Sequence, residues 1–262
     1  MSICILTDTT ALFPTISAGT RHFINVVPVK SEDHHLIPPV ESDFLKIFDD
    51  LEKQFNAILV LTTSDSFLPS YEAAKSAAQF HGGMAQIRVL NTNLFGPGLG
   101  VLTQLAARKA AAGESVIVIE EYLRSIIPYF FTIVFPSNTA SDLENKKIPG
   151  LFSPAEKSGP AQIYTLEDGQ LNPYKKVRTQ RHLLESYQDF LSEFEQPQHL
   201  VYFHGKNTGI HARPLREAAS NLFPGTNFND LELNDTLTIM FGENTVGFSI
   251  LEAPQNADWT GN

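Results

Sequence analysis

The chain has 262 residues, of which 42% are hydrophobic and 18% charged, which is enough apolar material for one large domain or two modest ones. The formal net charge is −10 at pH 7 and Lys and Arg are spread thinly, which excludes a nucleic-acid binder because such a protein needs basic surface. The single cysteine, Cys4, excludes an intrachain disulfide and a cysteine-rich zinc site, and with no signal peptide or long apolar stretch we expect a cytoplasmic protein without an integral membrane segment.

The first half of the chain alternates short apolar runs with amphipathic stretches, which is typical of βαβ units in a parallel sheet covered on both faces. The predicted strands are Ser2–Thr7, Asn25–Val29, Ala57–Leu61, Gln86–Leu90 and Tyr129–Phe135. The predicted helices are Ser42–Lys53 (with Ser42 as the N-cap), Tyr71–Phe80, Val101–Ala112 and Glu114–Ile127.

A segment rich in Pro and Gly, Lys146–Pro160, separates this half from a different pattern. The Asp168-Gly169 turn predicts a β-hairpin. The predicted strands of this half are Gln162–Leu166, Leu171–Val177, Leu200–Phe203, Leu231–Leu233, Leu237–Phe241 and Val246–Leu251, and the helices are Thr179–Phe194 and Pro214–Leu222. We therefore expect an N-terminal three-layer α/β domain with a mainly parallel sheet over residues 1–153. A C-terminal α+β domain with a mainly antiparallel sheet is expected over residues 154–262.

The familiar catalytic and phosphate-binding motifs are missing: the sequence contains neither GxxxxGK[ST] nor GxGxxG, HExxH or GxSxG. We accordingly predict no catalytic residue, no metal and no cofactor. His34 and His35 are adjacent and point apart, which argues against a metal pair. The segment from His204 to His211, with Arg213 after it, is interpreted as a solvated connection rather than an anion site.

Polar loops follow three of the predicted strands, at 7–10, 62–66 and 91–100. If those strands are neighbours, the loops meet at the carboxyl edge of the sheet, where α/β proteins bind ligands. Hydroxyl groups and backbone amides can hold a carboxylate without a cation. The candidate ligand-binding residues are Thr9, Thr10, Thr62, Thr63, Ser64, Thr92, Gly96 and Gly98.

The order of these loops resembles the DegV family of two-domain bacterial proteins that bind fatty acids. The segment Ile5–Pro14 is similar to the family's T-D-S-T-A-D-L-P, and Ser64–Tyr71 falls where the family has S-S-x-L-S-G-T-Y. Asn91–Gly100 falls where it has D-S-x-x-x-S-x-G-x-G. Further matches are Val27-Pro28, Asp142–Glu144, Thr165–Gly169 and Lys176–Thr179. The resemblance covers nearly the whole chain and implies a fatty acid in a cavity between two domains.

Three departures from the family pattern bear on function. Gly96 stands where the resemblance implies a hydroxyl that holds the carboxylate, and Leu151 stands at the family's arginine. The segment Phe241–Thr245 has no histidine where the family has H-x-G-P-G. The resemblance associates that arginine and histidine with phosphoryl transfer in members that serve a kinase.

We therefore predict a protein that binds a fatty acid or similar amphiphile and is not an enzyme, lacking the Arg and His of kinase-coupled members. One alternative is a degenerate enzyme related to phosphotransfer, for which Asp8 with Thr9 or Ser64, or His204, are the candidate groups. The other is an interaction protein without a ligand, whose cavity is filled by its own side chains.

Overall fold

The computed structural model describes residues 2–137, 161–206, 212–226 and 228–252. These residues form two compact units. The first unit contains residues 2–127 and the turn residues 168–170, and the second contains the other described residues. The predicted linker at 146–160 and the tail after Glu252 lie outside the described residues.

The first unit is built on a parallel sheet of four strands in the order β2-β1-β5-β6. Its strands are β1 (Ile3–Asp8), β2 (Ile24–Val27), β3 (Lys30–Glu32), β4 (His35–Ile37), β5 (Ala57–Thr62) and β6 (Gln86–Asn91). Its helices are α1 (Ala18–Arg21), α2 (Glu41–Leu51), α3 (Tyr71–Phe80), α4 (Gly96–Ala111) and α5 (Val116–Ile126). The strands β3 and β4 form a separate small hairpin.

The parallel sheet is covered on both faces, which explains why its central strands are apolar throughout. Cys4 and Leu6 of β1 share a core with the buried faces of α2 and α3. The alternate residues Ile3 and Ile5 are equally buried, and α4 packs against β1 while α5 packs against β5. The helices on the two faces and the sheet between them form the three layers that the sequence predicts. Because the central strands are buried on both faces, their residues do not alternate between apolar and polar.

The second unit is built on a mixed sheet of six strands in the order β11-β10-β12-β7-β8-β9. Its strands are β7 (Phe130–Phe135), β8 (Ala161–Glu167), β9 (Gln170–Val177), β10 (Pro197–His204), β11 (Phe228–Glu232) and β12 (Val246–Glu252). Its helices are α6 (Gln180–Leu191), α7 (Ala212–Leu222) and α8 (Asp235–Phe241). The pair β10–β11 is parallel, whereas β10–β12, β12–β7 and β7–β8 are antiparallel. The predicted fold class is confirmed.

The strand β7 belongs to this second sheet and not to the first. It pairs with β12, so that Ile133 lies opposite Phe248, and both side chains are part of the core of the second unit. The compact units therefore change over near residue 127, whereas we predicted a boundary between residues 153 and 154.

Two predicted elements and one cap are wrong. Leu237–Phe241 is predicted as a strand but lies in helix α8, because Asn234 caps that helix by accepting a hydrogen bond from the Leu237 N–H at 3.0 Å. The segment from Gly96 to Gly100, read as a loop, is the first turn of α4. Helix α2 begins one residue before Ser42, and its N-cap is Val40.

Candidate functional site

The carboxyl ends of β1, β5 and β6 lie side by side, so the three polar loops meet at one edge of the parallel sheet, as the sequence analysis predicts. Thr9 and Thr10 follow β1, Thr62–Ser64 end β5 and continue beyond it, and Thr92 follows β6. Gly96 and Gly98 lie in the first turn of α4. We call this region the hydroxyl edge; none of its loops at 7–10, 62–66 and 91–100 contains Lys, Arg or His.

Asp8 joins the first two loops of the hydroxyl edge. One carboxylate oxygen, Oδ1, accepts hydrogen bonds from the Thr10 N–H at 2.8 Å and from the Thr10 hydroxyl at 2.5 Å. The other, Oδ2, accepts from the Thr63 N–H at 3.1 Å. Burial raises the pKa of this carboxyl, and the donors Thr10 and Thr63 oppose the rise. Asp8 thus holds the loops in place with both of its oxygens engaged.

The second and third loops are joined by two threonine hydroxyls. Thr63 donates its hydroxyl proton to the Leu94 carbonyl at 2.8 Å, and Thr92 donates to the Thr62 carbonyl at 2.9 Å. Thr92 Oγ1 also accepts from the Leu94 N–H at 3.1 Å. Since a hydroxyl has one proton to donate, these two side chains use it to position the backbone.

The Ser64 hydroxyl contacts the turn at Gly169, within the same unit. It donates to the Gly169 carbonyl at 2.6 Å and accepts from the Ser66 N–H at 3.3 Å. Gly169 has a φ of +78°, and a Cβ built there would lie 2.7 Å from Ser64 Oγ, so only glycine fits. The sequence predicts a turn at Asp168-Gly169, but no sequence signal connects it with Ser64.

Thr62 differs from Thr10, Thr63, Ser64 and Thr92, whose hydroxyls all donate within the protein. Its side chain is 3% exposed, and Oγ1 has no hydrogen-bond partner within the described part of the chain. By strand alternation, Thr62 lies on the face of β5 that carries Ile58 and Val60, which α2 and α3 cover. A buried hydroxyl without a partner is costly in a folded protein and therefore needs an explanation.

Backbone groups complete the edge around the start of α4. The Gly96 N–H donates to the Thr10 carbonyl at 3.0 Å, and the Gly96 carbonyl accepts from the Leu12 N–H at 2.9 Å. Gly98 contributes an amide of the first helical turn, for which the helix itself supplies no acceptor. The Thr9 hydroxyl accepts from the Val29 N–H at 3.0 Å.

His204 lies apart from this edge, at the end of β10 in the second unit. Its Nε2 is 3.2 Å from Asp230 Oδ1, and its Nδ1 is 3.0 Å from the Gly205 carbonyl oxygen. The loop residues 207–211 and the position of Leu151 lie outside the described residues, as does the side chain of Arg213. Both ring nitrogens of His204 thus have protein partners.

Comparison with known proteins identifies one family. Its model, described as "Uncharacterised protein, DegV family", matches residues 20–140. No curated protein sequence matches the chain. Within the described residues, no helix has the length and apolar character needed to cross a membrane.

The solved structures share the fold over nearly the whole chain at low identity. A DegV family protein from Corynebacterium glutamicum has a TM-score of 0.84 at 18% identity, covering 98% of this chain and 100% of its own. A Thermotoga maritima protein described by its fatty acid binding function has a TM-score of 0.78 at 20% identity, covering 97% and 100%. A DegV family protein from Eubacterium eligens, loaded with heptadecanoic acid, has a TM-score of 0.80 at 16% identity, covering 96% and 100%. The resemblance to the DegV family is thus confirmed, by the family model over residues 20–140 and by the fold over nearly the whole chain.

Proposed function

We propose that this protein binds a fatty acid, or an amphiphile of similar shape with a carboxylate head, and does not transform it. Support comes from structures of the same fold that are described as fatty acid binding proteins, including one loaded with heptadecanoic acid. The observation that carries the proposal to this chain is the buried hydroxyl of Thr62, which lacks a protein partner among the described residues. A cytoplasmic location is part of the proposal and agrees with a single, buried cysteine.

The head group is proposed to be held by neutral donors of the hydroxyl edge. Thr62 has a hydroxyl proton available, and Gly98 has an amide at the start of α4, where the helix dipole favours negative charge. Ser64 can exchange its bond to the Gly169 carbonyl for one to a carboxylate, a stronger acceptor. The remaining candidates, Thr9, Thr10, Thr63, Thr92 and Gly96, would hold the loops in position.

An enzyme is the weaker proposal. The one hydroxyl–carboxylate pair at this edge with the geometry of a nucleophile and a base is Thr10 with Asp8. Both Asp8 oxygens also accept hydrogen bonds from backbone amides, those of Thr10 and Thr63, so this carboxylate serves to join the two loops rather than to activate a nucleophile. The B3 protein of a Streptococcus pneumoniae fatty acid kinase, whose structure is loaded with linoleic acid, also has this fold.

Binding to variants of the hydroxyl edge tests the proposal. We expect linoleic acid, measured by isothermal titration against delipidated protein, to bind the Thr62→Val and Ser64→Ala variants at least ~10-fold more weakly than the unchanged chain, because a hydrogen bond to a charged group contributes ~1.5–3 kcal/mol. Methyl linoleate, which lacks the charged head, should lose little affinity on the same substitutions.

Thr7 supplies the matched control. Its hydroxyl is also buried without a partner among the described residues, but it belongs to β1 and alternates with Leu6, on the opposite face of the sheet from Thr62. Thr7→Val should leave fatty acid binding unchanged and the protein as stable as before or more so. If the unchanged chain does not bind linoleic acid, the proposed function is refuted. Equal binding by the Thr62→Val and Thr7→Val variants would refute the assigned site.

A further inference from the structure

A second cluster of chemically active side chains lies away from the hydroxyl edge, where the C-terminal ends of α2 and α3 meet. Asp49 is in the last turn of α2, Glu52 caps that helix, and His81 caps α3. One possible ligand atom from each of the three residues lies within 4.8 Å of the other two. The hydroxyl edge makes no use of these residues.

The imidazole of His81 faces a carboxylate on each side. Its Nε2 is 3.2 Å from Glu52 Oε2 and its Nδ1 is 3.5 Å from Asp49 Oδ1, while the His81 side chain is only 3% exposed. A neutral imidazole has a proton on one nitrogen only, so the other would point a lone pair at a carboxylate oxygen. A metal ion at the ring would therefore meet a nitrogen lone pair and a carboxylate oxygen close together.

The backbone fits tightly around the same atoms. A Cβ built on Gly83 would lie 1.9 Å from Glu52 Oε2 and 2.4 Å from His81 Nε2, so a side chain at residue 83 would displace the two atoms from their present positions. The Met84 N–H donates to Glu52 Oε2 at 3.1 Å, which orients the carboxylate. The Phe48 ring meets the imidazole edge to face at 5.8 Å and fixes its plane. This support corresponds to the outer contacts that orient metal ligands.

The local charge also favours a cation. Asp49, Asp50 and Glu52 lie at the C-terminal end of α2, where the helix dipole is negative, and the last turn of that helix has no basic residue. Lys53, directly after Glu52, forms its ion pair with Asp50 at 2.7 Å and interacts with Asp49 and Glu52 only through longer-range electrostatics. One lysine thus faces three carboxylates, and the net charge around His81 remains acidic.

We propose that Asp49, Glu52 and His81 bind a divalent first-row metal ion, Zn²⁺ in the first place, joining the end of α2 to the end of α3. One imidazole nitrogen with carboxylate oxygens is a usual donor set for Zn²⁺. Two ligands of a tetrahedral ion, each ~2.0–2.1 Å from the metal, are ~3.4 Å apart, close to the separation of His81 Nε2 and Glu52 Oε2. Asp49 now faces Nδ1, but its side chain is 68% exposed and its carboxylate would turn to the Nε2 side as the third ligand, with water in the fourth position.

The experiment is a titration of the full chain, stripped with a chelator, with Zn²⁺ followed by calorimetry and with Co²⁺ followed by visible absorption. We expect one site per chain and a Co²⁺ spectrum of a four-coordinate ion. The His81→Gln and Glu52→Gln variants should bind at least ~100-fold more weakly, since even outer contacts of a metal contribute 10- to 100-fold. Circular dichroism verifies that each variant folds.

Two matched controls separate this site from general metal binding. Asp50→Asn removes an acid of the same helix turn that pairs with Lys53, and the double variant His34→Gln, His35→Gln removes the adjacent histidines of the β3–β4 turn. Both should bind Zn²⁺ like the unchanged chain. Loss of binding in the histidine double variant, unchanged binding in His81→Gln, or no binding by the unchanged chain would each overturn the proposal.

Discussion

Asp8 and Asp43 are two carboxylates of the first unit whose pKa values are shifted in opposite directions. Burial raises the pKa of Asp8 from its ordinary value of 3.8. The pKa of Asp43 is lowered, chiefly by the hydrogen bond from the Val40 N–H and then by that from Lys30. The stability that Asp8 contributes is therefore present below pH 3.8 and is lost as the pH rises through its raised pKa. The stability that Asp43 contributes is present above pH 3.8 and is lost as the pH falls through its lowered pKa.

Replacing each aspartate with asparagine makes the two pKa shifts measurable, as the pH dependence of the free energy of unfolding. Urea unfolding of the unchanged chain and of the Asp8→Asn and Asp43→Asn variants should be compared between about pH 3 and pH 8. We expect the advantage of the unchanged chain over Asp8→Asn to shrink as the pH rises, and its advantage over Asp43→Asn to grow. Parallel curves for both variants would contradict the assignment. Asp8→Asn should also lose ~1–3 kcal/mol at every pH, because it leaves the Thr63 amide without its carboxylate acceptor.

At the scale of elements, the start of α2 is weakly capped. Its N-cap is Val40, which is 53% exposed and has no oxygen to accept a hydrogen bond from the first turn, although Asp43 accepts from the Val40 N–H at 3.1 Å. Val40→Ser would complete a reciprocal pair of caps. We expect it to raise the free energy of unfolding by ~0.5–1 kcal/mol, measured by chemical denaturation.

Ser42 provides the matched control, because it is the residue that the sequence pattern predicts as the N-cap of α2. In the structure it lies inside the helix, in its first turn. Ser42→Ala should therefore change the free energy of unfolding by less than ~0.5 kcal/mol. A larger loss in Ser42→Ala than the gain in Val40→Ser would mean that the helix begins at Ser42 after all.

Most elements of this chain could be predicted because their cause is local. Apolar runs such as those of β1 and β5, bounded by polar turns, indicate buried strands without further information. Two of the errors arise where distant groups decide, whereas helix α8 has a local signal, its N-cap Asn234. Helix α4 begins early because its first residue, Gly96, is bonded to Thr10 and Leu12, and β7 joins the second sheet because its partner is β12.

The candidate site shows the same division between local and distant causes. That the three loops converge could be predicted, since it requires only that β1, β5 and β6 be neighbours. The sequence could not predict which hydroxyls lack a hydrogen-bond partner. That depends on distant contacts, since Thr63, Ser64 and Thr92 donate to carbonyl groups of other segments. The cluster of Asp49, Glu52 and His81 has no sequence signal, because the histidine is some thirty residues from the two acids.

At the scale of the whole molecule, the negative net charge of the protein opposes binding of an anionic head group at the proposed site. The chain carries −10, and the loops of the hydroxyl edge contain no basic residue, so a fatty acid anion approaches a protein of like charge. Salt screens this repulsion, with a Debye length of ~30 Å at 0.01 M and ~8 Å at 0.15 M. A site built on Arg or Lys would instead lose attraction as salt increases.

We therefore expect the affinity for linoleic acid to rise by about two- to fivefold between 0.01 M and 0.15 M salt. Methyl linoleate measures the effect of salt on the apolar chain alone, so the ratio of the two affinities isolates the head group. That ratio should rise with salt in the unchanged chain. A ratio that falls would require a cation at the head group, which would contradict a site made of Thr62, Ser64 and the Gly98 amide and would point to a basic residue from elsewhere in the molecule.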